Sequence, residues 1–108
     1  MGKLFTTRIG EVGKIKLTDE LKLYMDEDDY IKQQVEDSFQ RFLNGDWGDV
    51  DHETRTRNDN AAYKGKLNRL HGEYSGINGG TVIIITKKNR AATLIMWAGE
   101  YETYKNRF

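Results

Sequence analysis

LNRLHGEYSGINGGTVIIITKKNRAATLIMWA, residues 67–98, decides the fold. It holds three β-rich runs separated by two turn signals. Residues 67–75 put Leu70, Gly72 and Tyr74 on one side of an extended chain, because alternate residues of a strand share a face. Residues 81–86, TVIIIT, are β-branched throughout, the composition of a strand covered on both faces. Residues 91–98 set Thr93, Ile95 and Trp97 against Leu94 and Met96. Between the runs lie the glycine cluster 76–80 and the basic turn 87–90. Connections this short join antiparallel neighbours, so the stretch predicts a three-stranded antiparallel meander.

Upstream, the period changes from two to 3.6. Ile31, Val35, Phe39, Phe42 and Leu43 form one apolar stripe on a helix that opens at the acidic residues 26–29 and stops at Asn44-Gly45. Thr18 is placed to cap a shorter helix over 19–25, with Asp19 and Glu20 favourably set against its dipole. Asp51 is placed to cap a polar third helix over 51–64. Residues 3–17 alternate loosely (Phe5, Ile9, Val12, Ile15, Leu17), and Gly10 and Gly13 limit them to a short strand or extended arm. After the meander, Tyr101, Tyr104 and Phe108 are spaced three and four apart, as a short docking helix requires. The order is β–α–α–α–β–β–β. The class is α+β: a small antiparallel sheet of three or four strands with two to three helices on one face.

The chain is 108 residues long and contains neither cysteine nor proline, which excludes a disulfide framework, a thiolate zinc site and a cysteine nucleophile. No apolar run approaches the roughly 18 residues of a membrane span, and none near the start makes a signal peptide. Without an internal repeat or linker composition, the expectation is one cytoplasmic domain over residues 1–108, with no cofactor.

Acids and bases number 17 each, so the net charge is zero. Their distribution is uneven. Residues 19–59 carry thirteen acids and five bases, a net of −8, balanced by +3 before them and +5 after. Asymmetry of this kind steers partners and says nothing about fold. It offers two opposed surfaces. One is acidic, with Asp26, Glu27, Asp28, Asp29, Glu36 and Asp37 able to occupy a cationic nucleic-acid-binding groove. The other is basic, with Lys87, Lys88 and Arg90 on a hairpin and Tyr101 and Tyr104 in the tail, mixing bases and aromatics as single-strand binders do.

Chemistry is thinner. Arg69, His71 and Glu73 share one strand face and have the residue types of a metal-independent ribonuclease, although a solvent-facing strand has the same pattern. Asp46, Asp49 and Asp51 are oxygen ligands in a glycine-rich loop, but their spacing is not that of an EF-hand, and capping explains them. The 76–80 cluster lacks the Gly-Lys-Ser/Thr of a phosphate loop and belongs to a hairpin.

Residues 42–50, FLNGDWGDV, carry a further signal. With Gly45, Asp46, Trp47, Gly48 and Asp49 at its centre, the chain resembles a group of small proteins from plasmids, integrative elements and phages of Gram-positive bacteria. In that group a helix ends in G-D-W-G-D. A polar helix with an Asn follows, then a strand pair and a final E-Y. Here Asn58, Ile84-Ile85-Thr86, Arg90, Thr93 and Glu100-Tyr101 stand in those places, and the resemblance covers about residues 39–101. Asn89 replaces the Asp that usually precedes the Arg, and the segment before the TVIIIT strand is longer. Members are often labelled plasmid-related or restriction-associated. The resemblance implies a mobile-element accessory protein, and by extension an inhibitor of a host defence nuclease, of the anti-CRISPR or anti-restriction kind. Its partner would then be a nucleic-acid-binding protein in the bacterial cytoplasm.

Overall fold

The computed structural model describes residues 9–108, so Phe5 lies outside the described residues. The elements are β1 (Lys14–Leu17), α1 (Asp19–Glu27), α2 (Asp29–Leu43), α3 (His52–Tyr63), β2 (Leu70–Ile77), β3 (Gly80–Thr86) and β4 (Ala92–Trp97). A short tail follows, made of 3-10 turns around α4 (Tyr101–Tyr104). The class is α+β, as the sequence predicts.

The meander forms as expected. β2 pairs antiparallel with β3, and β3 with β4. The β2–β3 turn is narrower than the glycine cluster suggests, because β2 runs on to Ile77. Asn78 and Gly79 alone turn the chain, both at positive φ (51° and 75°), which a two-residue hairpin needs to match strand twist.

The expectation of a wholly antiparallel sheet is corrected. The order is β1-β4-β3-β2, and β1 runs parallel to β4, so the sheet is mixed. A four-residue strand pairs equally well in either direction; its neighbours fix the choice. Ile9 and Val12, just before it, are buried. Thr93 donates its hydroxyl proton to the Val12 carbonyl (2.6 Å), so Thr86, 2.6 Å away, must donate to Thr93. These two fully buried threonines tie the incoming chain to the hairpin end of β4. Gly13 permits the approach, since a Cβ there would overlap the carbonyls of Arg90 and Ala91.

The helices form where their stripes predict. Thr18 caps α1 through Leu21 N–H. Asp28 ends α1, two residues later than expected, and caps α2 by accepting from Tyr30 and Ile31 N–H. Leu21, Met25, Ile31, Val35, Phe42 and Leu43 pack with Trp47, Leu70, Tyr74, Val82, Ile84 and Ile95 as the main core. The opposite face of the sheet is apolar too: Ile83, Ile85, Leu94 and Met96 are covered by Ala98, Tyr101, Tyr104 and Phe108 of the tail. TVIIIT is therefore buried on both sides, with helices on one and the docking tail on the other. Among the described residues no helix is long and apolar enough to cross a membrane.

Candidate functional site

β3 and β4 run between two ends of the sheet. The 87–91 turn lies at one end. Gly80 and Trp97 lie at the other, because Val82 pairs with Trp97. As β1 is parallel to β4, it delivers Thr18 and the start of α1 to the Trp97 end. Gln34 of α2 reaches that end as well, donating to the Gly76 carbonyl (3.3 Å).

The helical side of that end is acidic. Asp19, Glu20, Asp26 and Glu27 of α1 are exposed, as are Asp28, Asp29, Glu36 and Asp37. At about 100° per residue, Asp29, Gln33, Glu36 and Gln40 share one outward stripe of α2. The six acids singled out in the sequence are thus all solvent-facing. They differ in duty: Asp28 is committed to its cap, and Asp37 accepts from Gln33 (2.9 Å). Three large apolar side chains stand among them, Leu23, Tyr24 and Tyr30, exposed by 56%, 43% and 69%.

The other end is basic. Lys87 and Lys88 stand on the β3–β4 turn. With Asn89, Asn106, Arg107 and Phe108 they line one groove beside Leu67. A second groove, which shares Leu67, is lined by Arg57, Asn60 and Lys66 together with His52 and the acidic Glu53. Lys87 lies over the Phe108 ring and Arg107 over Tyr104. Arg90 is not available there. Its guanidinium donates to the carbonyls of Asn68, Lys87, Lys88 and Ala61, locking the turn to the loop before β2. Tyr101 is also engaged, accepting from Arg69 (3.1 Å).

Arg69, His71 and Glu73 share a face, as alternation requires, but it is the face the tail covers. Arg69 also donates to the Lys105 carbonyl. The His71 ring meets Tyr101 edge-on at 5.4 Å. His71 Nε2 lies 2.9 Å from a Glu73 oxygen, and a carboxylate only accepts, so Nε2 carries the proton. Burial pushes the His71 pKa below the ordinary imidazole value, outweighing the opposite pull of Glu73. These groups dock the tail.

The G-D-W-G-D turn is structural in every residue. Gly45, at φ +81°, reverses the chain after α2. Asp46 makes a two-pronged ion pair with Arg41 (2.7 and 3.2 Å) and accepts from Gly48 N–H (3.0 Å). Arg41 holds the Asp46 carboxyl below the usual carboxylate range. Trp47 is buried edge-on against Phe42 and donates to Asp59 (2.9 Å). Gly48 lies against Glu73, whose N–H donates to the Trp47 carbonyl and whose carbonyl accepts from Asp49 N–H. The Asp49 carboxylate accepts from Ser75 N–H (3.2 Å). Asp51 caps α3 through Thr54 N–H. The three aspartates are therefore spent on backbone and on Arg41. Among the described residues no three His, Cys, Asp or Glu side chains converge as a metal site.

Two contacts escaped the sequence, although Asn58 itself stands among the residues of the resemblance. Asn58, fully buried, exchanges two hydrogen bonds with the His71 backbone (2.8 and 3.1 Å). At the acidic end, Tyr24 and Trp97 meet at 81° with ring centroids 5.4 Å apart. They line a cleft of about 400 Å³ with Glu20, Glu100 and the 78–80 turn. Alternation finds Trp97, and helical period finds Tyr24, but only the parallel course of β1 brings them together. No protein-family model, curated protein or solved structure matches this chain.

Proposed function

We propose that the protein is a non-enzymatic binding protein whose acidic helical surface occupies the cationic, nucleic-acid-binding groove of a partner protein. The partner class is the one the resemblance implies: a host defence nuclease, blocked by a mobile-element inhibitor. One observation carries the reading. Leu23, Tyr24 and Tyr30 stand exposed among the acids of α1 and α2. A merely solvated helical face would be polar there, whereas interface centres are enriched in aromatic side chains. Acids supply steering toward a basic groove, and the apolar side chains supply contact area.

The test is capture of the tagged protein's partner from a bacterial lysate after nuclease treatment, followed by competition. Binding should survive the nuclease, yield to an excess of the nucleic acid that the partner binds, and weaken at least tenfold with Asp29→Lys plus Glu36→Lys. Asp28 is left intact because it caps α2. Binding that ignores both the competitor and the charge reversals overturns the reading.

A second reading is favoured by the paired grooves beside Leu67: direct binding of single-stranded nucleic acid at the basic end. Arg57, Lys66, Lys87, Lys88 and Arg107 would contact phosphates there. Its signature is oligonucleotide binding that falls with salt and with Lys87→Gln plus Lys88→Gln. A ribonuclease centred on His71 would need that ring uncovered, and RNA cleavage lost in His71→Ala at unchanged stability would be its mark.

A further inference from the structure

The cleft at the acidic end has a more specific chemistry than the surface around it. Its walls come from four separate places: Glu20 and Tyr24 of α1, the 78–80 turn, Trp97 at the end of β4, and Glu100 in the turn after it. Its volume, about 400 Å³, falls within the roughly 300–1,000 Å³ of small-ligand sites. The two rings meet edge to face, so the edge of one covers one face of the other; a cation in the cleft would lie over a ring face that this contact leaves uncovered. Gly80 keeps the floor open, because a Cβ there would press on the Trp97 ring at 3.2 Å.

The carboxylates complete the pattern. Glu100 is fixed by accepting from Thr18 Oγ (2.8 Å) and from Trp97 N–H (3.0 Å). Both bonds fall on Oε2, which leaves Oε1 for a ligand. Glu20 is exposed on the first turn of α1. Three of the chain's own cations lie over other rings: Arg41 over Tyr74, Lys87 over Phe108 and Arg107 over Tyr104. Among the described residues none lies over Tyr24 or Trp97.

We propose that this cleft binds the guanidinium of an arginine side chain presented by the partner protein. A guanidinium is planar and stacks on an aromatic face while its edge donates to a carboxylate, which an ammonium does less well. The proposal rests on the reading of the acidic helices as a docking face. It supplies that face with an anchor, since paired aromatic and arginine groups in a desolvated cleft dominate interfaces of this kind.

The experiment is a titration of the ¹⁵N-labelled protein followed by NMR, with the Trp97 indole signal identified by its loss in Trp97→Phe. The probes are three blocked tripeptides, Gly-X-Gly, in which X is arginine, lysine or the uncharged isostere citrulline. The arginine peptide should shift the Trp97 indole and the amides of Gly79, Gly80 and Gly99, at millimolar concentration. Lysine should bind more weakly and citrulline not at all. Tyr24→Ala and Glu20→Gln, both at exposed positions, should each weaken binding about threefold or more. No shift at Trp97, equal shifts with citrulline, or tighter binding of choline than of the arginine peptide overturns the proposal.

A nona-arginine peptide separates this proposal from the reading beneath it. Shifts along the outer stripe of α2 without any at Trp97 leave the docking face standing and remove the cleft. Shifts at Trp97 with none on α2 do the reverse.

Discussion

At the residue scale, His71 sets how stability depends on pH. Burial and the neighbouring Arg69 and Arg57 hold its folded pKa below the unfolded value near 6.5, against Glu73. Above pH 6.5 the ring is neutral in both states and costs nothing. Below it the unfolded chain takes a proton that the folded chain resists, so stability falls with falling pH until the folded pKa is passed. Thermal melts should show a decline beginning between pH 7 and 6, and His71→Gln should flatten it. A slope unchanged by that substitution would move the effect to another group. Gly48 offers a second single-residue test. It sits at φ +75°, and a Cβ would fall on the Glu73 carbonyl oxygen. Gly48→Ala should cost about 2–4 kcal/mol, from the left-handed backbone and the two backbone bonds beside it. Gly76 is the control: its φ is +79° with open space around it, so Gly76→Ala should cost only about 1–2 kcal/mol. Equal losses in the two variants would mean that the Gly48–Glu73 contact contributes nothing. The sequence marked Gly48 through its motif, but the atom it touches is 25 residues away and has no local signal.

At the element scale, the informative feature is the edge of the sheet. β2 is an outer strand, and its outward backbone groups alternate at residues 71, 73 and 75. An unpaired strand edge invites other chains. Here each position is answered: His71 by the Asn58 side chain, Glu73 by the backbone of Trp47 and Asp49, Ser75 by the Asp49 carboxylate. The G-D-W-G-D turn and the buried Asn of the polar helix, which stand together in the resemblance, are thus two halves of one edge cover. Asn58→Ala should cost about 2–5 kcal/mol, since it strands two buried backbone groups and leaves a hole. Asn58→Asp should cost a similar amount, because a carboxylate can accept from His71 N–H but repels its carbonyl. Chemical denaturation measures both, and a loss under 1 kcal/mol in either would show that water replaces the amide. The elements themselves were legible: the stripe from Ile31 to Leu43, the TVIIIT strand and the caps Thr18 and Asp51 all stand where local chemistry puts them. The direction of β1 was not, because KIKL alternates identically when reversed. What orients it is the Thr93–Val12 hydrogen bond, a contact spanning 81 positions.

At the scale of the whole molecule, zero net charge conceals a separation. The eight acids between residues 19 and 37 lie along the two helices that lead from the Trp97 end, and Lys87 and Lys88 with the bases beside Leu67 lie at the turn end. This follows from topology: α1 starts where β1 finishes, and β1 finishes beside the end of β4. The candidate surface was therefore half visible in the sequence, as composition, while its aromatic cleft needed the fold. Charge separation has a consequence independent of any partner. A neutral molecule with mixed charges should pass through both kinds of ion exchanger at pH 7 and low salt. One with two coherent patches should be retained by both, each patch facing the matrix of opposite sign within a Debye length of roughly 10 Å at 0.1 M salt. The substitutions separate the two contacts. Asp29→Lys plus Glu36→Lys should elute earlier from the anion exchanger, and Lys87→Gln plus Lys88→Gln should elute earlier from the cation exchanger. Part of each shift is the change in net charge, so the diagnostic comparison is with Glu11→Gln plus Glu53→Gln, which removes two exposed negative charges away from the acidic end. If that variant loses anion-exchanger retention as strongly per unit charge as the α2 pair, the acids do not act as one surface, and the docking face loses its electrostatic basis.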